Sequence, residues 1–166
     1  MTTPEKMKAA VTWHKGNYFS AYTEGQRFEH HWGRTVNEAD NALFNTLTLH
    51  FNPIYFNQPF AKEHGHDNTP INPLLVFNTV LGLSVEDLSE AGGPFLGIDD
   101  LTYGVSVYPG DTLTAVSTTT AVRESESRGG AGIVTWRTEG FNQRGEKVVA
   151  FTRSNLVRKS STGSFK

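Results

Sequence analysis

The segment "INPLLVFNTVLGLSVEDL", residues 71–88, limits what this chain can fold into more than any other stretch. Leu74, Leu75, Val76, Phe77, Val80, Leu81, Leu83, Val85 and Leu88 recur at helical spacing and cover most of the helix circumference. A helix apolar nearly all round is stable only when other elements enclose it. Asn72 suits its N-cap, and Pro73 its first position, where a missing N–H costs little. With 166 residues the chain is expected to form one domain with a sizeable core. The rest of the chain must supply the wrapper.

The C-terminal half has the composition for that task. "LGIDDLTYGVSVYPGDTLTAVSTTTAVRES" and "AGIVTWRTEGFNQRGEKVVAFTRSNLVRK" are rich in β-branched residues and broken at Pro-Gly-Asp, Arg-Gly-Gly and Asn-Gln-Arg-Gly. The two runs around "NQRG" predict a long antiparallel hairpin. A buried helix wrapped by a curved antiparallel sheet is an α+β architecture. Upstream, "RTVNEADNALFNTLTLH" predicts a helix, with Thr35 and Glu38 as its capping box and Val36, Ala39, Leu43, Phe44 and Leu47 at helical spacing. "FNQPFAKEHGHDNTPI" predicts a short helix and a loop. Domain limits are expected at 16–158, with an N-terminal extension over 1–15 and a polar tail over 159–166.

Composition narrows the function. Lys and Arg number 15 against 17 Asp and Glu, which excludes a general nucleic-acid binder. The absence of cysteine removes disulfides, thiolate metal sites and cysteine nucleophiles. No apolar run has the length of a membrane span or the form of a signal peptide, so a cytoplasmic protein is expected. His64, His66 and Asp67 form a His-x-His-Asp run without a third well-spaced ligand; they read as solvated loop residues near a pocket mouth, and no metal is expected. His30 and His31 stand just before the predicted cap.

The turn "HFNPIYFN", residues 50–57, combines an imidazole, His50, with a phenol, Tyr55, around an Asn-Pro turn signal. Together with "GRTVNEADNALFNTLT", "VYPGDTL" and "GFNQRGEKVVAFTRSNLV", it resembles the MaoC-like hydratases and dehydratases of the hotdog fold. The resemblance is to the branch that includes itaconyl-CoA and mesaconyl-CoA hydratase-like proteins. It implies a hotdog homodimer whose substrate is an acyl thioester on coenzyme A or an acyl carrier protein, with no cofactor. The implied chemistry is a hydro-lyase reaction, adding or removing water across the α,β bond.

The family motif Asp-x-Asn-Pro-Ile-His falls on residues 50–55, and the chain departs from it at both catalytic positions. His50 stands at the aspartate position and Tyr55 at the histidine position; Asn52, Pro53 and Ile54 match. Pro73 stands where the family has a glycine whose N–H meets the thioester carbonyl, so a shifted donor at Leu74 or Leu75 is expected. The resemblance thus implies His50 as base, Tyr55 as acid or hydroxyl clamp, and Asn52 between them. Asn72, Pro73, Leu74 and His64 are the expected substrate-binding residues. The replaced dyad keeps two alternatives open. One is a hotdog enzyme that hydrolyses the thioester or adds a nucleophile other than water; the other is a non-catalytic acyl-binding subunit.

Overall fold

A computed structural model describes residues 16–161; the expected extension over 1–15 and residues 162–166 of the expected tail lie outside them. The elements run β1 (Arg27–Glu29), β2 (Arg34–Thr35), α1 (Glu38–Leu47), α2 (Gln58–Glu63), α3 (Pro73–Leu83), α4 (Val85–Leu88), β3 (Phe95–Tyr103), β4 (Thr112–Glu124), β5 (Ala131–Phe141) and β6 (Lys147–Arg158). All pairings are antiparallel, in the order β1-β4-β5-β6-β3, with β2 on the start of β4. The expected hairpin is β5–β6, joined through "NQRG". This is the α+β hotdog arrangement.

The sheet packs one face on α3. Val76 and Val80 are buried with Leu113, Ala115, Val149 and Phe151, and Phe77 meets the Phe151 ring edge-on at 4.9 Å. Gly140 of β5 permits this approach, since a Cβ there would lie 2.6 Å from a Val80 methyl. The expected single long helix is interrupted at Ser84. Its hydroxyl donates to the Leu81 carbonyl, and its own carbonyl accepts from the buried Arg153 guanidinium, 3.3 Å away. Nor is α3 enclosed all round: Leu74, Asn78 and Gly82 are exposed, and Leu75, Leu81 and Leu83 are half-buried.

Two expectations for α1 are corrected. Its capping box is Asn37 with Asp40, because Thr35 is drawn into the β2–β4 ladder and bonds the Thr112 hydroxyl. Its buried face is polar: Asn41 and Asn45 point inward, while Leu43 and Leu47 are 61% and 73% exposed. Leu49, Phe51 and Phe56 extend this apolar surface past the helix end.

A buried polar chain ties α4 to the sheet. His30 Nδ1 lies 2.6 Å from an Asp87 carboxylate oxygen, Nε2 lies 2.9 Å from the Ser117 hydroxyl, and Ser117 meets Thr138. Burial pushes the His30 imidazole below its ordinary pKa, outweighing the pull of Asp87. The unfolded chain therefore binds a proton that the folded chain resists. Stability is kept above about pH 6.5, the ordinary imidazole value, and falls as pH drops below it. Thermal midpoints of the wild type are expected to fall between pH 7.5 and 5.5 more steeply than those of His30→Gln; parallel curves would remove His30 as the cause.

Candidate active site

Three buried asparagines build the floor of the site. Asn72 Oδ1 caps α3 by accepting the Leu74 N–H at 2.9 Å, and its Nδ2 donates to Asn45 Oδ1 at 2.7 Å. Its backbone N–H donates to Asn41 Oδ1 at 2.8 Å. Asn41 and Asn45 both donate side-chain N–H groups to the Tyr55 carbonyl, at 2.9 and 3.1 Å. The polar face of α1 thus holds the Asn-Pro turn against the N-terminus of α3. The Tyr55 carbonyl held this way is one that the irregular turn leaves without a ladder partner.

An open cavity of about 370 Å³ lies beside this floor, with Ile54, Tyr55, His66, Pro73, Tyr103 and Val107 in its wall. A second, of about 290 Å³, shares Tyr55 with the first and reaches Glu38, Asn41 and Asn68. Burial raises the Tyr55 phenol above its usual pKa. Tyr103 is raised by burial and then by the proximity of Tyr55. Both are proton donors at neutral pH, and neither is a base.

His50 lies at the edge of this arrangement. Its N–H donates to the Asn45 carbonyl, and its ring centroid is 5.4 Å from that of Tyr55. Neither cavity wall includes it. Asn52 is exposed and accepts the Ile54 N–H at 3.3 Å, a turn cap with no face on the cavity. Of the four expected substrate contacts, three stand outside both cavity walls. Asn72 is fully buried, with its side-chain amide engaged at both ends. Leu74 is exposed, outside both cavity walls, and its N–H is taken by Asn72. His64 stacks on Phe60 and bonds the Phe60 carbonyl on the outer side of α2. Pro73 is the expected contact that does line the cavity.

His66, Tyr103 and Tyr108 were not identified as site residues in the sequence. His66 owes its position to the end of α2. Gly65 adopts φ +86, the Gly65 N–H bonds the Lys62 carbonyl and the His66 N–H bonds the Ala61 carbonyl. This is a Schellman turn, which glycine permits because it lacks a Cβ. It sends His64 outward and turns His66 toward the cavity, where Nδ1 lies 2.8 Å from the Tyr108 hydroxyl. A Gly one residue before a His at a helix end was the legible signal.

The stretches "VYPGD" and "NQRGE", both within segments that carry the family resemblance, form one clamp. The Asp111 carboxylate accepts from the Tyr108 N–H, Gln143 and Arg144, at 2.9, 2.8 and 2.9 Å. Burial opposes its ionisation, but these donors prevail and hold its pKa below the usual carboxylate range. Arg144 is anchored in turn by Glu146. The clamp fixes Tyr108, and through it His66.

A family model described as mesaconyl-CoA hydratase matches residues 2–164. The chain belongs to the mesaconyl-CoA hydratase family. Within that family it is 36% identical over 149 residues to the mesaconyl-CoA hydratase of Haloarcula hispanica, covering 89% of this chain and 42% of the relative. It is also 36% identical over 144 residues to the β-methylmalyl-CoA dehydratase of Chloroflexus aurantiacus, covering 87% and 41%. The chain spans about two fifths of the length of these curated relatives. A crystal structure of a MaoC-domain dehydratase from Chloroflexus aurantiacus superposes with a TM-score of 0.84 at 31% identity, over 95% of this chain and 45% of that one. A Mycobacterium tuberculosis protein with a double hotdog fold gives 0.80 at 19% identity, over 90% and 46%, a likeness of fold alone. This member of the mesaconyl-CoA hydratase family therefore has the fold of one hotdog unit.

Proposed function

We propose that the chain is a hydro-lyase that adds water to, or removes it from, an α,β-unsaturated or 3-hydroxy acyl-CoA thioester. The observation that supports this is the cavity between the Asn-Pro turn and the N-terminus of α3, with the Tyr55 phenol in its wall. An 11-residue helix ends there with the positive pole of its dipole. Pro73, the first residue of that helix, stands in the cavity wall, so the positive pole stabilises negative charge as it builds on the oxygen of a thioester bound there. Tyr55 donates a hydrogen bond from its protonated phenol to the substrate hydroxyl or carbonyl. His50, beside Tyr55, is the flanking imidazole that orders the phenol at the cavity mouth.

The test is the purified full chain given a 2-enoyl-CoA and, separately, a 3-hydroxyacyl-CoA. Interconversion of the two without release of free thiol is the expected result. Free thiol release would instead make it a thioesterase, and binding without turnover an acyl-binding subunit. The same acyl groups on an acyl carrier protein decide the carrier.

The partner we propose is a second copy of this chain. The β3 strand is a sheet edge with Phe95, Leu96, Leu101 and Tyr103 exposed, and Val105 follows. An unpaired apolar edge is unstable in water and attracts another strand. Tyr103 lies on that edge and in the cavity wall, so pairing there would close the cavity from one side. Light scattering at micromolar concentration is expected to give a dimer; a monomer would overturn this pairing.

A further inference from the structure

We propose that His66, and not an imidazole of the Asn-Pro turn, is the group that exchanges a proton with the substrate; this rests on the hydro-lyase reading above. Three observations carry it. His66 is half-buried in the wall of the cavity, whereas His50 is absent from that wall. Its Nδ1 is engaged by the Tyr108 hydroxyl at 2.8 Å, and among the described residues its Nε2 has no partner. The imidazole is held by structure at both ends, by the Schellman turn at its backbone and by a tyrosine whose backbone N–H the Asp111 carboxylate clamps. A side chain fixed at this many points around one free ring nitrogen has the geometry of a positioned acid–base group.

Tyr108 suits either state of the ring, because a hydroxyl both donates and accepts. With Nδ1–H donating to the Tyr108 oxygen, Nε2 carries the lone pair of a ring that stands in the cavity wall. Water then bonds C3 of the enoyl thioester while one of its protons passes to Nε2. The electron pair of the double bond moves onto the thioester carbonyl as an enolate, which the α3 N-terminus stabilises. When that pair returns to C2, it takes the proton from Nε2. One water has been added across C2=C3 and His66 is neutral again; the reverse sequence dehydrates the 3-hydroxyacyl thioester. Tyr103 and Tyr55 serve as donors to the hydroxyl and carbonyl oxygens, a task for phenols that stay protonated. Tyr108 is a positioning residue, since it acts through His66.

His66→Gln, Tyr108→Phe and His50→Gln separate the roles, with crotonyl-CoA as the substrate. His66→Gln is expected to lower kcat by about a hundred-fold or more, the usual scale for a general base, with KM changed only a few-fold. It should also abolish the fall in kcat/KM at low pH that a protonated imidazole causes. Tyr108→Phe should lower kcat less and displace that acid limb, a shift that loss of packing alone would not produce. A His66→Gln enzyme that keeps its turnover and acid limb overturns the proposal while leaving the hydro-lyase reading intact. So does loss of the acid limb in His50→Gln instead. A wild type that turns over neither crotonyl-CoA nor 3-hydroxybutyryl-CoA overturns both. Should His66→Gln fold poorly, wild-type protein decides. Titration with butyryl-CoA, which cannot be hydrated, should shift the His66 ring signals in NMR, and unmoved signals at saturation would overturn the placement of Nε2.

Discussion

Tyr55→Phe is expected to lower kcat on an enoyl-CoA by roughly a hundred-fold, the lower end of what a positioned proton donor contributes. KM should stay within a few-fold, because the ring and its place in the cavity wall are kept and only the hydroxyl is lost. The turn itself should be undisturbed. It is held through the Tyr55 carbonyl by Asn41 and Asn45, atoms that the substitution does not touch. Burial raises the Tyr55 pKa above its usual value near 10, so the phenol keeps its proton as pH rises through that value. The wild type should accordingly show no alkaline loss of turnover from this group below about pH 10. Steady-state kinetics across pH 6 to 10 measure both effects. A Tyr55→Phe enzyme with unchanged kcat would leave the phenol as a wall residue only.

Asn72→Ala should lower the unfolding free energy by about 3 kcal/mol, combining a lost helix cap with a buried acceptor left without its donor. The acceptor is Asn45 Oδ1, and Leu74 loses the oxygen that satisfies its N–H. Asn72→Ser keeps an oxygen for the cap but cannot donate to Asn45 in the same geometry, so it should fall between the two. Urea unfolding with an unchanged slope would read these as losses of native-state interaction. Alanine and wild type sharing a midpoint would mean that the trio of asparagines stabilises little. The alanine variant should also loosen the site, since Asn45 is one of the two donors that hold the Tyr55 carbonyl.

Much of the fold follows from patterns that are local in sequence. Period-3.6 apolar spacing with Asn-Pro at the front specifies α3, and β-branched runs broken by Gly-containing turns specify β3 to β6. Both depend on backbone preferences and near neighbours. The interruption at Ser84 does not: it needs Arg153, 69 residues away, to donate to the Ser84 carbonyl. The polar inner face of α1 was equally hidden. Leu43 and Leu47 satisfy the helical period, yet the buried positions are asparagines, because the neighbouring surface presents the Tyr55 and Pro70 carbonyls and the N–H groups of Asn72.

The site divides in the same way. The departures from the family motif at His50, Tyr55 and Pro73 were legible as residue types, and so was the capping role of Asn72. Their sequence spacing carried no information about which of them faces a cavity. That depends on the three-dimensional meeting of two loops, residues 50–57 and 103–108, with the turn after α2. His64 and His66 are two residues apart and equal in sequence, but Gly65 at φ +86 sends them to opposite surroundings. The chain by itself determined its helix, its strands and the chemistry available to it. Which imidazole stands in the cavity wall was decided by packing, because hydrogen bonds to groups more than forty residues away, such as Tyr108 to His66, set the direction of a side chain that local preference leaves free.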